Sequence, residues 1–112
     1  MNIDKSLLSG SNGMLLLKLL AEKDMYGYEM IETLALRSDH TFELKAGTLY
    51  PLLHGLEEKD WVTAYDAEAQ GRIRRYYRLT DKGRKALAEK EEAWNRYADA
   101  VRLVLRGGEA CG

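Results

Sequence analysis

The sequence predicts a mainly α-helical fold with a small β hairpin, arranged as a winged helix-turn-helix that is followed by one long C-terminal helix. Two changes of hydrophobic period support this fold class. Apolar residues recur at helical spacing in three short segments, alternate between residues 62 and 79, and return to helical spacing after residue 80. We therefore expect a winged helix-turn-helix domain at residues 1–79, a single helix at residues 80–106 and a disordered tail at residues 107–112.

Composition limits the classes of protein to which the chain can belong. Its 112 residues, of which 46% are hydrophobic, suit one domain with a small core, and the net charge of −1 argues against a globally basic nucleic-acid binder. The only cysteine, Cys111, leaves no disulfide framework, which fits a reducing compartment. The start Met1–Lys5 lacks a secretory pattern, and Lys18 interrupts the longest apolar run, Met14–Leu17. These features predict a cytoplasmic protein without a membrane segment.

The first two helices are predicted from caps and apolar spacing. The cluster Ser9–Gly13 offers hydroxyl and amide caps to a helix that carries the apolar segment Met14–Leu20, and Met1–Ser9 is expected to form a short arm or a first half-turn before it. A glycine-rich phosphate loop is the alternative interpretation of the cluster, but the GxGxxG spacing and the Gly-Lys-Ser/Thr ending are missing. A second helix is predicted to begin at Tyr26, and a very short strand is predicted at Thr41–Leu44.

The third helix has one apolar face and one face suited to another role. Its leucines follow the spacing i, i+3, i+4 and i+7 that buries one side of a helix: Leu49, Leu52, Leu53 and Leu56. Pro51 lacks an N–H and clashes with the carbonyl four residues earlier, so it places the helix start near Gly47 or Thr48. The other face has no carboxylate before Glu57, and a helix that enters a DNA groove keeps acids away from phosphates. We interpret this segment as a recognition helix whose DNA-contacting residues are Thr48, Tyr50 and His54.

A β hairpin, or wing, is predicted after the third helix. Its strands are expected at Val62–Tyr65 and Ile73–Leu79, with a turn at Asp66–Gly71. The densest positive charge of the chain lies at its second strand, without an acid: Arg72, Arg74, Arg75 and Arg78. We predict that Arg72, Arg74 and Arg75 contact phosphates or the minor groove, because they adjoin the recognition helix. The alternative is a solvated edge strand whose charges prevent pairing with other strands.

The last helix is predicted to begin at Thr80-Asp81 and to end at about Arg106. An apolar stripe follows it at spacings of seven and at an intermediate offset: Leu87, Trp94, Tyr97, Val101 and Val104. A three-helix core cannot cover so long a helix, so the stripe needs a partner. The stripe is shorter than three heptads and Lys90 interrupts it, which argues against a free coiled coil and favours packing against the same helix of a second copy. We therefore predict dimerisation through the stripe. A two-fold dimer places two recognition helices about 34 Å apart, as palindromic half-sites require.

Three motifs together resemble one bacterial family. They are Tyr26-Gly27-Tyr28-Glu29, the segment 47–53 with Leu56-Glu57, and the segment 71–84, and in this order and spacing the chain resembles the PadR family of transcriptional regulators, in its shorter form with a single C-terminal helix. The resemblance implies a winged helix-turn-helix homodimer that binds a palindromic double-stranded DNA operator, represses a nearby promoter and is released by a small molecule or a stress signal.

The resemblance also assigns roles to residues. It implies recognition-helix contacts for Thr48, Tyr50 and His54, wing contacts for Arg72 and Arg74, and mainly structural roles for Tyr26, Gly27 and Glu29. Two positions depart from the family pattern. His54 stands where the family often has Lys or Arg, and Asp60 stands where a Gly commonly ends the recognition helix, so we expect an exit without the left-handed cap that Gly supplies.

Trp94 has two interpretations. The segment Ala93-Trp94-Asn95-Arg96 resembles that of multidrug-responsive PadR members, in which a tryptophan and its dimer mate sandwich flat aromatic ligands, and this implies an effector site at Trp94 and Tyr97. A tryptophan in a dimer stripe is more often simple packing. The helix can do both.

An enzyme is not expected. The only histidines are His40 and His54, the cysteine lies near the C-terminus, and no carboxylate pair adjoins either histidine, so the sequence predicts no catalytic residue, no metal and no cofactor. The remaining alternative is a winged-helix protein-interaction module without a ligand response, which the near-neutral net charge permits.

Overall fold

The computed structural model describes the backbone of residues 5–107 and the side chains of residues 11–107. Helices form most of this part of the chain, with one small antiparallel sheet, and the predicted fold class is confirmed. None of the helices described combines the length and the apolar character needed to cross a bilayer. In chain order the elements are α1 Lys5–Glu22, β1 Met25–Tyr26, α2 Gly27–Arg37, α3 Ala46–Glu58, β2 Val62–Ala69, β3 Arg72–Leu79 and α4 Asp81–Arg106.

The core lies where α1, α2 and α3 meet the inner face of the sheet. Five of its side chains have no exposed surface: Leu16, Leu17, Met30, Leu49 and Leu53. They come from all three helices, so none of these helices buries its apolar face without the others. This trihelical core fixes the position of α3, the predicted recognition helix.

The start of α1 differs from the prediction. The helix begins at Lys5 and runs through the polar cluster Ser9–Gly13, which therefore does not cap it. A side-chain cap contributes only about 1 kcal/mol, which tertiary packing overrides. Asn12 is only 5% exposed, and a Cβ placed at Gly13 would lie 4.0 Å from Leu56 Cδ2, so these two residues face the core and α3. Of the predicted arm, residues 1–4 lie outside the described residues.

The short strand predicted at Thr41–Leu44 is absent, and an unpredicted one, β1, is present. Thr41 N–H donates to Ser38 O at 3.0 Å, and Phe42 N–H donates to Ser38 Oγ at 3.0 Å. These groups therefore close the C-terminal turn of α2 instead of pairing with a strand. β1 pairs antiparallel with β3 through Met25–Tyr77 and Tyr26–Tyr76, and the sheet order is β1-β3-β2.

The hairpin is longer and its turn is tighter than predicted. β2 extends to Ala69, and only Gln70 and Gly71 connect it to β3. Their φ angles are +54° and +76°, the left-handed values of a type I′ turn, which matches the twist of the flanking strands. Glycine supplies this conformation at no steric cost, whereas glutamine rarely does, so the sequence signal for the turn was weak.

The end of α3 also corrects an expectation. Asp60 itself adopts the left-handed conformation, with φ +61°. Trp61 N–H donates to Leu56 O at 3.0 Å and Asp60 N–H donates to Glu57 O at 2.9 Å, the hydrogen-bond pattern of a Schellman motif. The helix therefore ends with a left-handed cap although glycine is missing, because a short polar side chain tolerates this conformation better than most others do.

α4 begins and ends as predicted. The Thr80 side chain caps it by accepting a 2.9 Å hydrogen bond from Gly83 N, and Gly107 follows its last residue, Arg106. Thr80 also ties α4 to the end of α3, because its hydroxyl donates to Asp60 O at 2.6 Å. The 26-residue helix gives the molecule an elongated shape of 62 × 31 × 21 Å. Apart from Gly107, the tail predicted at 107–112 lies outside the described residues.

Candidate nucleic-acid interface

The two faces of α3 are divided as the leucine spacing predicts. Leu49, Leu53 and Leu56 are buried in the core. The three predicted contact residues, Thr48, Tyr50 and His54, are exposed, and Tyr50 retains 48% of its surface. No acidic residue lies in the first turn of α3. The exposed face thus offers a hydroxyl, a phenol and an imidazole beside the positive end of the helix dipole, a combination compatible with DNA phosphates and bases.

Pro51 lies deeper in α3 than predicted. The helix begins at Ala46 with Lys45 as its N-cap, so Pro51 is in the second turn. The expectation that a proline marks the first turn is wrong here. Thr48 N and Leu49 N both donate to Lys45 O at 2.9 Å, so the helix is already formed before the proline interrupts one backbone hydrogen bond.

Gly27, at the start of α2, leaves room for the Tyr50 side chain because it has no side chain of its own. A Cβ placed at Gly27 would lie 2.8 Å from Tyr50 Cζ and 3.1 Å from Cε1, and closer still to the hydroxyl. The ring of a predicted DNA-contacting residue therefore rests directly on the backbone of α2. Two of the sequence motifs, the one around Gly27 and the one around Tyr50, are the two sides of a single contact.

We expect Gly27→Ala to weaken DNA binding by about tenfold, or about 1.4 kcal/mol, with a much smaller loss of stability. The new methyl group pushes the Tyr50 ring aside, and a half-exposed ring can move without opening a cavity in the core. A double-mutant cycle with Tyr50→Ala, measured by fluorescence anisotropy on labelled DNA, isolates this effect. If Gly27→Ala lowers affinity equally in the Tyr50→Ala background, the glycine does not act through Tyr50.

The outer face of the sheet carries what we term the tyrosine–arginine face: Tyr26, Tyr65, Tyr76, Arg74 and Arg78. Tyr76 packs edge-to-face on Tyr26 and parallel to Tyr65, with ring centroids 5.5 and 5.7 Å apart. The Arg74 guanidinium lies 4.3 Å from the Tyr26 ring centroid, and that of Arg78 lies 4.9 Å from the Tyr65 centroid. Stacking of this kind holds the guanidinium groups in place.

Asp24 anchors this face to the loop after α1. Its carboxylate accepts hydrogen bonds from Tyr65 Oη at 2.6 Å and from Arg78 Nε at 3.1 Å. The hydrogen bond to Asp24 raises the pKa of the Tyr65 hydroxyl, because ionisation of the phenol would place two negative charges together. Arg78 is thus engaged within the protein, and it is not among the arginines predicted to bind DNA.

The three arginines predicted to bind DNA have different surroundings. Arg72, next to the turn, is exposed and makes none of the ion pairs found within residues 11–107. Arg74 is half-buried on Tyr26, and its buried Nε lacks a hydrogen-bond acceptor. Arg75 lies on the opposite face of β3 and forms a 3.3 Å ion pair with Glu57 of α3. This ion pair joins the hairpin to α3.

Sequence reasoning did not identify Glu57, Asp24 or Tyr76 as residues that organise this surface. Tyr65 and Tyr76 are paired by the register of the hairpin. The turn was predicted too long, so this register could not be predicted from the sequence. Asp24 lies 41 and 54 residues from its two partners, so no local pattern could have revealed it.

The apolar stripe of α4 begins later than predicted. Leu87 is only 6% exposed and belongs to the core of its own chain, so its assignment to an outward dimerisation stripe is a correction. The exposed stripe consists of Trp94, Tyr97, Val101, Val104 and, in addition to the prediction, Leu105. Four of these residues line a shallow apolar groove of about 280 Å³, and the Trp94 and Tyr97 rings lie 5.9 Å apart.

Known proteins resemble this chain along most of its length. Residues 16–89 match the family described as the transcriptional regulator PadR-like family. The transcriptional regulator Rv3488 of Mycobacterium tuberculosis is 36% identical over 81 residues, which cover 72% of this chain and 73% of that protein. An uncharacterized protein of Lysinibacillus sphaericus is 32% identical over 108 residues, 96% of this chain and 99% of that one.

A solved structure shows the same arrangement. The crystal structure of a PadR family transcriptional regulator from Eggerthella lenta matches with a TM-score of 0.78 and 35% identity, covering 91% of this chain and 88% of that chain. The similarity spans both the hairpin-bearing domain and much of the long C-terminal helix, so it concerns the whole architecture and not one motif.

Proposed function

This chain belongs to the PadR-like family of transcriptional regulators, and from its surfaces we propose that it is a homodimeric repressor that binds a palindromic operator at a nearby promoter and is released by a flat aromatic small molecule. Family membership makes it a DNA-binding regulator of transcription and not an enzyme. Because such a regulator acts where the DNA is, we place it in the cytoplasm.

The exposed face of α3 is the observation that carries the proposed DNA contact. Thr48, Tyr50 and His54 are exposed there, and the helix is held against the core by three buried leucines. Only three residues separate α3 from β2, and Glu57 pairs with Arg75 across the two elements, so Arg72 and Arg74 lie on a hairpin adjacent to this helix. We assign base and phosphate contacts to the helix residues and phosphate or minor-groove contacts to Arg72, Arg74 and Arg75.

The exposed stripe of α4 supports the proposed dimer. Five apolar side chains on one side of a helix are more than a monomer usually leaves in water, and a second copy buries them by two-fold symmetry. On this proposal residues 1–79 form the DNA-binding domain and residues 80–106 the dimerisation helix. The paired domains then present two copies of α3 to successive turns of one DNA groove.

Trp94 and Tyr97 support the proposed effector site. Trp94 is 48% exposed, and it lines a cavity of about 260 Å³ with Met14, Lys90 and Ala93. In a dimer formed through this helix, the two Trp94 rings approach one another and offer two flat surfaces to an aromatic molecule. A ligand bound there separates the two α4 helices and alters the distance between the two α3 helices, which weakens operator binding.

The salt dependence of DNA binding tests the proposed contacts. We expect the slope of log affinity against log salt to fall by about 0.9 for each phosphate contact that is lost, so Arg72→Ala with Arg74→Ala should reduce it by about two units. Arg96→Ala removes the same charge from an exposed position of α4, where Arg96 pairs with Glu92 at 3.3 Å, and should leave the slope unchanged. An unchanged slope in the double variant contradicts the assignment of the hairpin to DNA.

A further inference from the structure

The ion pair between Arg75 and Glu57 places a carboxylate on the side of α3 that we assign to DNA. Glu57 is the first acidic residue of the helix. It lies nearly two full turns after Tyr50, so the two side chains project from the same side. A carboxylate at this position repels DNA phosphates. In the free protein Arg75 of β3 compensates this charge, with its Nη2 3.3 Å from Glu57 Oε2.

The contact between Arg75 and Glu57 is weakly held. Its N–O distance is beyond the usual range of a charged hydrogen bond, and 56% of the Arg75 side chain and 26% of the Glu57 side chain are exposed. Asp66, which lies across from Arg75 in the hairpin, takes part in none of the ion pairs found within residues 11–107. Ion pairs this open to water contribute little to stability, so Arg75 can leave Glu57 at a small cost.

Arg78, on the other face of the same strand, is held more firmly. Its Nε donates to Asp24 at 3.1 Å, and its guanidinium lies 4.9 Å from the Tyr65 ring centroid. Asp24 and Tyr65 are themselves joined by a 2.6 Å hydrogen bond. Arg78 therefore has two partners that hold each other in place, whereas the ion pair of Arg75 rests on one carboxylate. Arg75 is the better placed of the two arginines to change partners.

We propose that Arg75 exchanges Glu57 for a DNA phosphate when the protein binds DNA, and that Glu57 thereby limits the affinity. In the free protein the Glu57 carboxylate occupies the guanidinium as a phosphate would. In the complex the guanidinium donates to a phosphate oxygen, and its contact with the carboxylate is lost. Binding therefore breaks an internal ion pair and leaves an unpaired carboxylate near the DNA, and both effects oppose it.

The exchange rests on the proposed assignment of Arg75 to phosphate contact, and it adds Glu57 as a residue that controls this contact. Phosphates are common to all DNA sequences, so the cost applies to any duplex and does not require a palindromic operator. The exchange is therefore measurable on a duplex of arbitrary sequence at low salt, where phosphate contacts supply the affinity.

Glu57→Gln should raise the affinity for such a fluorescently labelled duplex by about fivefold, as measured by anisotropy. The amide has the shape of the carboxylate without its charge, so Arg75 reaches the phosphate without breaking an ion pair. Glu58→Gln is the matched control, because Glu58 is exposed, and its affinity should stay within about twofold of the parent. The proposal is overturned if Glu57→Gln binds no better than Glu58→Gln.

Arg75→Gln distinguishes the exchange from a purely structural ion pair. Loss of one phosphate contact should reduce the slope of log affinity against log salt by about 0.9. In this background Glu57→Gln should raise affinity by less than about twofold, because no ion pair is left to break. An ion pair that only positions the hairpin leaves the slope unchanged, and its removal by Glu57→Gln lowers affinity. Either of these results, or an equal gain in both backgrounds, contradicts the exchange. Thermal denaturation verifies that each variant is folded.

The parent protein separates this inference from the proposed function. Binding to the arbitrary duplex with the expected effects of Glu57→Gln and Arg75→Gln, but without a two-fold footprint on its own promoter, refutes the proposed repressor and supports the exchange. A two-fold footprint together with an ineffective Glu57→Gln refutes the exchange alone. A parent protein that binds no duplex overturns both.

Discussion

Val101→Asp should convert the protein to monomers and lower its affinity for a palindromic operator by about a hundredfold or more, because a monomer loses the second, effectively intramolecular, half-site contact. Val101 lies at the centre of the exposed stripe, between Tyr97 and Leu105. In a two-fold dimer its aspartate is buried beside apolar groups and close to its own symmetry mate, where neither charge has a partner. Analytical ultracentrifugation and anisotropy on operator DNA measure the two effects.

Leu103→Asp is the matched control for this substitution. Leu103 is 60% exposed and lies two residues along α4, about 200° around the helix from Val101, so it cannot share the same interface strip. Its replacement by aspartate should leave both sedimentation and DNA binding nearly unchanged. An intact dimer with Val101→Asp shows that the stripe is not the interface.

Gly83→Ala should destabilise the fold by about 3 kcal/mol, at the upper end of the usual cost of overpacking. A Cβ at this position would lie 2.7 Å from Leu79 Cδ1 and 2.9 Å from the Trp61 carbonyl carbon, and closer still to its oxygen. The Trp61 carbonyl group cannot easily move away from the new methyl group, because it accepts a 3.0 Å hydrogen bond from Thr80 N–H. At about 4 °C or more per kcal/mol, the melting temperature should fall by more than 10 °C.

Gly55→Ala is the control for Gly83→Ala. Gly55 lies in the middle of α3, and a Cβ there would meet no other atom within 4 Å. Its replacement should stabilise the protein by about 0.5–1 kcal/mol, since alanine has less backbone freedom to lose in a helix. Opposite signs for these two glycine-to-alanine changes are expected in thermal denaturation. Equal effects contradict the view that Gly83 is required by close packing.

The periodic features of the sequence predicted most of the fold. The leucine spacing of α3 identified its buried face, and the alternation after α3 predicted the hairpin that β2 and β3 form. The start of α4 followed from Thr80 because its cap is a local interaction. In each case the signal and the structure involve residues within a few positions of one another.

The features that sequence reasoning missed depend on distant contacts or on uncommon backbone conformations. β1 exists because Met25 and Tyr26 pair with residues about fifty positions later. Asp60 and Gln70 adopt positive φ angles that their residue types rarely signal. Leu87 fits the spacing of the outward stripe, but the core covers it because α1 packs against this part of α4.

The sequence predicted which residues of the candidate interface are exposed on α3, but it did not predict the ion pairs that the arginines form. The exposure of Thr48, Tyr50 and His54 agrees with the prediction for α3. Three of the four closely spaced arginines were predicted to contact DNA, yet Arg75 among them pairs with Glu57, and the fourth, Arg78, pairs with Asp24. Such pairs are formed across elements, so charge density along the chain overestimates the charge available to a ligand. Assignment of these residues to DNA contact stays a prediction.

Glycines at two contacts explain part of the family motifs in physical terms. Gly27 allows Tyr50 to rest on α2, and Gly83 allows α4 to begin against the Trp61 carbonyl. Both lie in segments through which the chain resembles its family, and neither has a positive φ angle. Their role is therefore close packing between elements, and not access to an unusual backbone conformation.

The most direct test of the proposed function is hydroxyl-radical footprinting of the DNA upstream of the gene that encodes this protein, at physiological salt. Two protected patches are expected, related by a dyad and about 34 Å or one helical turn apart, and they should disappear when a flat aromatic effector quenches Trp94 fluorescence. Absence of protection, or a single patch without two-fold symmetry, would contradict the proposal that two copies of α3 bind one operator.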